Sequence, residues 1–171
     1  MKNNETIEQA KFVIGRYDHY YDSVNTKGSF IIGLNTFLLG GLLAGYVGLY
    51  EKIEIPQWIV ALIIAFGLCS ILSSMLTVFA IHPFLNSGNK DTKKRSQIFF
   101  GSVSQYDREN FIEAFKARTE QQIVNDLSCQ VWILATGLTK KYDYLRIAGW
   151  LLIVQLILLV PITLFIFNHL S

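Results

Sequence analysis

The chain has 171 residues and a formal net charge of +2, which is too small to indicate a nucleic-acid-binding protein. Its hydrophobic residues make up 51% of the sequence, and most are gathered into long runs that lack the spacing of a soluble core. The sequence therefore does not favour a single soluble domain.

Three runs without a charged residue are long enough to cross a membrane. They cover residues 29–50, 58–81 and 147–168, and each holds 22 to 24 residues. About 20 apolar residues suffice to cross the hydrocarbon core of a bilayer. We therefore predict three transmembrane helices, with a short turn at residues 51–57 and a tail at residues 169–171. Pro56 marks the start of the second helix and Pro83 its end.

The positive charges indicate an orientation. Lysine and arginine number four in residues 1–28, one in the short turn, ten in residues 82–146, and none in the tail. Because cytoplasmic segments of membrane proteins are enriched in these residues, we predict that residues 1–28 and 82–146 are cytoplasmic. The short turn and the C-terminus are then external.

Residues 1–28 predict an amphipathic cytoplasmic helix. Apolar residues recur there at intervals of three and four, which is the heptad-like stripe of a helix that pairs with another helix, as in a coiled coil. The stripe consists of Ile7, Ala10, Ile14, Tyr17, Tyr21 and Val24. It leads directly into the first span, so we expect one continuous helix from about Thr6 to Tyr50.

The middle segment is predicted to supply the partner helix. Residues 82–106 are interpreted as a loop with a short extended segment at 96–104, and Ser104 with Asp107 as a capping box. A long helix over residues 107–146 is expected to run unbroken into the third span, although its apolar stripe is interrupted at Thr119. The predicted fold is an all-α membrane protein with three transmembrane helices and a cytoplasmic paired-helix module.

Small residues on the first span suggest close helix packing. Gly41 and Gly45 have the GxxxG spacing that lets two backbones approach in lipid. A second ridge recurs at intervals of four and consists of Thr36, Gly40, Ala44 and Gly48. Two interpretations stand: packing against the other spans of the same chain, and self-association into a homo-oligomer.

Each span also carries a polar residue at a similar depth. Asn35, Ser74 and Gln155 are six to eight residues from the cytoplasmic ends of their spans, or roughly 9–12 Å below the inner boundary. Side chains at one depth on three helices can bond with each other. Alternatively, they line a wet path once subunits rearrange.

Nothing in the sequence indicates catalysis. His19, His82 and His169 have no metal-ligand spacing with another histidine, cysteine or carboxylate. The motifs of zinc peptidases, of serine hydrolases and of phosphate-binding loops are missing from the sequence as well. We predict that the protein is not an enzyme and holds no metal and no cofactor.

Four segments, in their order along the chain, resemble segments of a known protein family. They are FVIGRYDHYYDSVN (residues 12–25), NTFLLGG (35–41), HP (82–83) and IFFGSV (98–103). In this order they are similar to the Pycsar transmembrane effector family. The resemblance implies a bacterial antiphage protein of the inner membrane. A partner cyclase would make a cyclic pyrimidine nucleotide, cUMP or cCMP, on infection, and the effector would respond by impairing the membrane.

A nucleotide site is then expected on the cytoplasmic side. Positive charge for the phosphate would come from Arg16 and from Lys93, Lys94 and Arg95. Further donors would come from Gly101, Ser102 and Ser104, and Tyr17 or Tyr20 would stack on the base. The alternatives are a helical membrane scaffold and a constitutive small channel or transporter, both without a nucleotide ligand. The channel or transporter interpretation is weakened because no span carries a charged residue.

Overall fold

The structure is a computed structural model that describes residues 2–50, 54–83 and 96–170. Of these residues 89% are helical and none forms a strand, so the predicted all-α class is confirmed. Five helices follow one another: α1 (Lys2–Leu49), α2 (Gln57–Ile81), α3 (Phe100–Val103), α4 (Arg108–Lys116) and α5 (Glu120–Leu170). Three of them, α1, α2 and α5, are long and apolar enough to cross a membrane.

Helix α1 carries both the heptad-like stripe and the first apolar run. It is a single helix of 48 residues, and the predicted continuity from about Thr6 to Tyr50 is confirmed. No proline interrupts this stretch, and the last helical hydrogen bond runs from the Tyr50 backbone N–H to the Tyr46 carbonyl at 2.9 Å. At 1.5 Å per residue, α1 is about 70 Å long and extends well beyond one span.

Prolines mark both ends of α2, as predicted. Pro56 is the N-cap residue, and its carbonyl accepts the backbone N–H of Ile59 at 3.0 Å. At the other end His82 donates its backbone N–H to the Val78 carbonyl at 2.9 Å, and its own ψ of 138° is not helical. Pro83 explains this ending, because a proline ring disfavours the helical conformation of the preceding residue.

The segment before α4 differs from the prediction. An extended conformation over residues 96–104 is wrong for Phe100–Val103, which form the helical turn α3. The Ser96 hydroxyl accepts the backbone N–H groups of Ile98 (3.2 Å) and Phe99 (3.1 Å) and so bends the chain into this turn. Ser104 is the C-cap residue of α3 and therefore does not open the next helix.

The expected unbroken helix from residue 107 into the third span is also wrong. Asp107 alone caps α4, with its carboxylate accepting the Glu109 backbone N–H at 3.2 Å, and α4 ends at Lys116. A reciprocal capping box then starts α5. The Thr119 hydroxyl accepts the Gln122 backbone N–H at 3.3 Å, and the Gln122 side-chain oxygen accepts the Thr119 N–H at 2.9 Å. The interruption of the apolar stripe at Thr119 was the sequence signal for this break.

The chain divides into two compact units. The polar unit comprises Met1–Asp22 and Pro83–Lys140, and the membrane unit comprises Ser23–His82 and Lys141–Ser171. Helices α1 and α5 each contribute residues to both units. The membrane unit contains all three apolar runs.

Within the polar unit a hydrogen bond joins α1 to α5. The Tyr21 hydroxyl donates to the Leu134 carbonyl at 3.0 Å. Ala10 on α1 and Leu127 and Leu138 on α5 are buried, in agreement with their places on the two apolar stripes. The pKa of Tyr21 is raised, first by burial and second by the nearby charge of Asp18.

The membrane unit has a small apolar core. Leu42 on α1, Phe66 on α2 and Ile162 on α5 are buried together, and partly buried leucines and isoleucines of the same helices pack against them. Close to the start of the first span, α1 and α2 approach so closely that a Cβ at Gly28 would lie 2.5 Å from Cγ2 of Ile81. Any larger residue at this crossing would therefore force the Ile81 side chain to shift.

Candidate functional site

A cluster of uncharged polar residues lies inside the membrane unit. We call it the polar centre; it consists of Asn35 on α1, Ser70, Ser73, Ser74 and Thr77 on α2, and Gln155 on α5. All except Ser74 are at most 1% exposed. Burial of so many polar groups among apolar helices is unfavourable unless they bond with one another, so their partners decide what the cluster can do.

Hydrogen bonds of the polar centre connect the three long helices. The Asn35 side-chain nitrogen donates to the Ser73 hydroxyl at 3.0 Å and to the Ser74 hydroxyl at 3.1 Å. Ser73 in turn donates to the Ala148 carbonyl on α5 at 2.9 Å, and Ser70 donates to the Asn35 carbonyl at 3.4 Å. The bonds from Asn35 through Ser73 to Ala148 thus join α1, α2 and α5 in one chain.

Three buried polar atoms of the polar centre remain without a partner. Neither Nε2 nor Oε1 of Gln155 has a hydrogen-bond partner among the described residues, and the same holds for Oδ1 of Asn35. The sequence placed Asn35, Ser74 and Gln155 at one depth; the first two are bonded, whereas Gln155 is not. A buried polar atom left unpaired costs about 1–3 kcal/mol. The polar centre is therefore only partly satisfied in this conformation.

The described residues do not pack against the glycines at the centre and end of the first span. A Cβ added at Gly40, Gly41, Gly45 or Gly48 would have no atom of the described residues within 4 Å. The interpretation that this ridge packs against the other spans of the same chain is therefore not what the structure shows. Self-association of this ridge therefore stays a prediction.

Lys141 ties α5 to the end of α2. Its ammonium group donates to the carbonyls of Ala80, at 2.5 Å, and His82, at 2.7 Å, where Pro83 has removed the continuation of the helix. Burial lowers the pKa of Lys141 from its ordinary value. A signal was present in the sequence, because Lys141 lies between Leu138 and Leu145 at the spacing of the buried stripe.

Arg16 and Tyr20 are brought together in the polar unit. The Arg16 guanidinium donates to the Tyr20 hydroxyl at 3.0 Å and lies 6.0 Å from the centre of the Phe12 ring. Both side chains are exposed, and Tyr17 beside them is half-buried. The cation, the hydroxyl and the rings therefore share one accessible stretch of α1.

The described hydrogen bonds do not join the other predicted nucleotide-site residues to this stretch. Ser102 is buried in α3, Ser104 donates its hydroxyl to the Gly101 carbonyl at 3.3 Å, and a Cβ at Gly101 would lie 2.6 Å from the Phe99 ring. Among the described residues no hydrogen bond links α3 to Arg16 or Tyr20. The remaining members, Lys93, Lys94 and Arg95, lie outside the described residues.

Sequence reasoning missed a buried ion pair in the polar unit. Arg118 donates to the Asp126 carboxylate at 2.6 Å, and the same carboxylate oxygen accepts the backbone N–H of Gln97 at 3.0 Å. Both side chains of the pair are nearly buried, at 9% and 12% exposure. The pair therefore holds the chain before α3 and the turn before α5 against one point of α5. No sequence pattern predicts the contact with Gln97, because this residue contributes only its backbone N–H.

Comparison with known proteins identifies the family. A family model described as the Pycsar effector protein domain matches residues 9–168, which is nearly the whole chain. No curated protein and no solved structure matched the chain. The resemblance drawn from residues 12–25, 35–41, 82–83 and 98–103 is thus confirmed. The chain is a membrane protein that belongs to the Pycsar effector family, a family of antiphage defence effectors and not a known enzyme family.

Proposed function

We propose that this effector lies in the bacterial inner membrane and responds to cUMP or cCMP by an oligomeric rearrangement that disrupts the membrane. The polar unit faces the cytoplasm, and residues 51–57 and the C-terminus face outward, as the distribution of lysine and arginine indicates. One observation carries the proposal: the polar centre holds unpaired amide atoms inside the membrane. Unpaired buried polar atoms raise the free energy of the present conformation. A rearranged state in which these atoms gain hydrogen-bond partners or water is therefore favoured by the removal of that cost.

The nucleotide site in this proposal is centred on Arg16. A cyclic nucleotide presents one phosphate charge and one flat base. The exposed Arg16 guanidinium suits the phosphate, and the exposed Tyr20 ring suits the base. Lys93, Lys94 and Arg95 would add positive charge, whereas the buried Ser102 needs a local opening before it can contribute.

Continuous helices provide the route from the ligand to the membrane. Arg16 lies on α1, and the same helix carries Asn35 nineteen residues further on. A rotation or shift of α1 imposed by a ligand is therefore transmitted to the Asn35 bonds with Ser73 and Ser74. Because these bonds are neutral and few, they can be exchanged for contacts in another arrangement.

The second candidate is a helical membrane scaffold or small channel without a nucleotide ligand. The chain of bonds from Asn35 through Ser73 to Ala148 favours it, since a static bundle needs such cross-links. This candidate predicts no nucleotide binding and no toxicity when a cyclase is active. The two candidates therefore differ in the first experiment.

That experiment is isothermal titration of the detergent-purified protein with cUMP, cCMP, cAMP and cGMP. Selective binding of a pyrimidine nucleotide supports the effector proposal, and absence of binding by all four leaves the scaffold or a different messenger. Arg16→Ala should abolish the binding, while Lys11→Ala is the matched control, because Lys11 is exposed on the same helix and pairs only with Glu8 among the described residues. Unchanged binding by Arg16→Ala would show that the site lies elsewhere.

Membrane disruption requires a separate measurement. Liposomes that contain the purified protein and an entrapped dye should release the dye when the nucleotide that binds in the titration is added. Binding without release would retain the receptor and remove the membrane-disrupting step from the proposal.

A further inference from the structure

Two exposed cations lie at one boundary of the membrane unit. Lys27 on α1 is two residues before the first apolar run, and Arg146 on α5 directly precedes the third. Both side chains are exposed, and neither forms an ion pair within the described part of the chain, although Asp143 is close to Arg146 in the sequence. Two positive charges are therefore available at the level where lipid headgroups begin.

Tyr142 connects the two cations on the side of α5 that meets α1. The Lys27 ammonium lies 5.8 Å from the centre of the Tyr142 ring, a distance at which the ring attracts a cation. Arg146 is one helical turn beyond Tyr142, and residues four apart are neighbours on a helix surface. The ring therefore holds the Lys27 charge against the same side of α5 that carries Arg146.

On the membrane side of the cations, the same part of α5 offers apolar surface. Gly149 follows Tyr142 by seven residues and Arg146 by three, so it continues their row. A Cβ at Gly149 would have no described atom within 4 Å. Trp150, one turn beyond Arg146, is 63% exposed, and tryptophan is typical of the membrane interface. The cations are thus followed along α5 by space and by an exposed aromatic side chain.

This combination of charge and apolar surface matches an anionic phospholipid. A phosphate group accepts charge-assisted hydrogen bonds from both a guanidinium and an ammonium group, and an acyl chain needs only apolar contacts. Phosphatidylcholine presents its own ammonium group, which two protein cations would repel. A soluble anion would match the cations but would leave Trp150 uncovered.

We infer that Lys27, Tyr142 and Arg146 form a binding site for the phosphate of an anionic phospholipid such as phosphatidylglycerol. One acyl chain of this lipid lies along Gly149 and Trp150. The lipid joins α1 to α5 at the boundary of the membrane unit. The inference goes beyond the proposed function and uses none of the residues of the proposed nucleotide site.

The first test is native mass spectrometry of the detergent-purified protein with phosphatidylglycerol and phosphatidylcholine of identical acyl chains. The wild type should bind phosphatidylglycerol at least about tenfold more tightly than phosphatidylcholine. Lys27→Gln combined with Arg146→Gln should weaken phosphatidylglycerol binding at least about tenfold. The control is Lys11→Gln combined with Lys116→Gln, which removes the same charge from exposed positions of the polar unit and should change binding less than about twofold. Equal losses in the two double variants, or equal binding of the two lipids by the wild type, would overturn the inference.

A second pair of variants tests the place of the acyl chain without changing any charge. Gly149→Leu fills the space beyond the cations and should weaken phosphatidylglycerol binding several-fold. Gly33→Leu is the matched control, because a Cβ there also has no described atom within 4 Å, while six residues of helix turn Gly33 away from the side of α1 that carries Lys27. Equal effects of the two leucines would show diffuse attraction in place of a site. Displacement of the lipid by inorganic phosphate at an equal concentration would assign the cations to a soluble anion.

Discussion

Gln155→Met should make the protein more stable and at the same time less active. The Gln155 side chain is fully buried in the membrane unit, and both of its amide atoms have no partner among the described residues. Methionine has nearly the same length and no strong polar group, so it fills the same space without the desolvation cost. Since one unpaired buried group costs about 1–3 kcal/mol, the free energy of unfolding should rise by about that amount.

The change is measured by reversible unfolding in mixed micelles of increasing denaturing-detergent fraction, followed by far-ultraviolet circular dichroism. The matched control is Gln121→Met, on the same helix but exposed and bonded only to Asn125 within the described part of the chain. Its free energy of unfolding should change by less than about 0.5 kcal/mol. A loss of 1 kcal/mol or more in Gln155→Met, as an order of magnitude for one hydrogen bond, would refute the reasoning, because the amide would then be paired in the resting protein.

The activity of the same variant separates two interpretations of the polar centre. If the amide becomes paired or hydrated only in the active state, Gln155→Met should abolish nucleotide-triggered dye release while leaving nucleotide binding intact. Normal release by the stabilised variant would show that the polar centre has no part in membrane disruption.

Other contacts of the structure give three more predictions. Lys141→Met leaves the carbonyls of Ala80 and His82 without their charged donor and should lower the free energy of unfolding by about 1.5–3 kcal/mol. Burial lowers the pKa of Lys141 below 10.5, so the folded protein binds its proton less readily than the unfolded chain, and the stability of the wild type relative to Lys141→Met should grow as the pH rises toward 10.5. Arg118→Ala leaves the nearly buried Asp126 charge without its cation and should cost about 3 kcal/mol, seen as faster hydrogen exchange in the polar unit.

The controls for these variants are exposed residues of the same type. Lys116→Met, at an exposed position in the last turn of α4, should be nearly neutral. For the ion pair the control is Lys11→Ala, which removes an exposed pair with Glu8 and should change stability by less than about 1 kcal/mol. If the exposed and buried variants behave alike, burial does not determine what Lys141 or Arg118 contributes to stability.

The three long helices and the ends of α2 were predicted correctly from the local sequence. The three long apolar helices follow from run length and charge, and the ends of α2 follow from Pro56 and Pro83. The continuity of α1 follows from the unbroken stripe and the lack of proline. Local prediction failed only where two weak signals competed. The capping box at Thr119 and Gln122 stops a helix that the apolar spacing would have continued, and Phe100–Val103 adopt a helical turn where an extended segment was expected.

The partners of the polar side chains were decided by the tertiary structure alone. The sequence places Asn35, Ser74 and Gln155 at one depth, because depth follows from counting residues along a helix. It does not fix the rotation of each helix about its own axis, which the packing of Phe66, Leu42 and Ile162 sets. That rotation is the physical reason why Asn35 reaches Ser73 and Ser74 while Gln155 reaches no described partner.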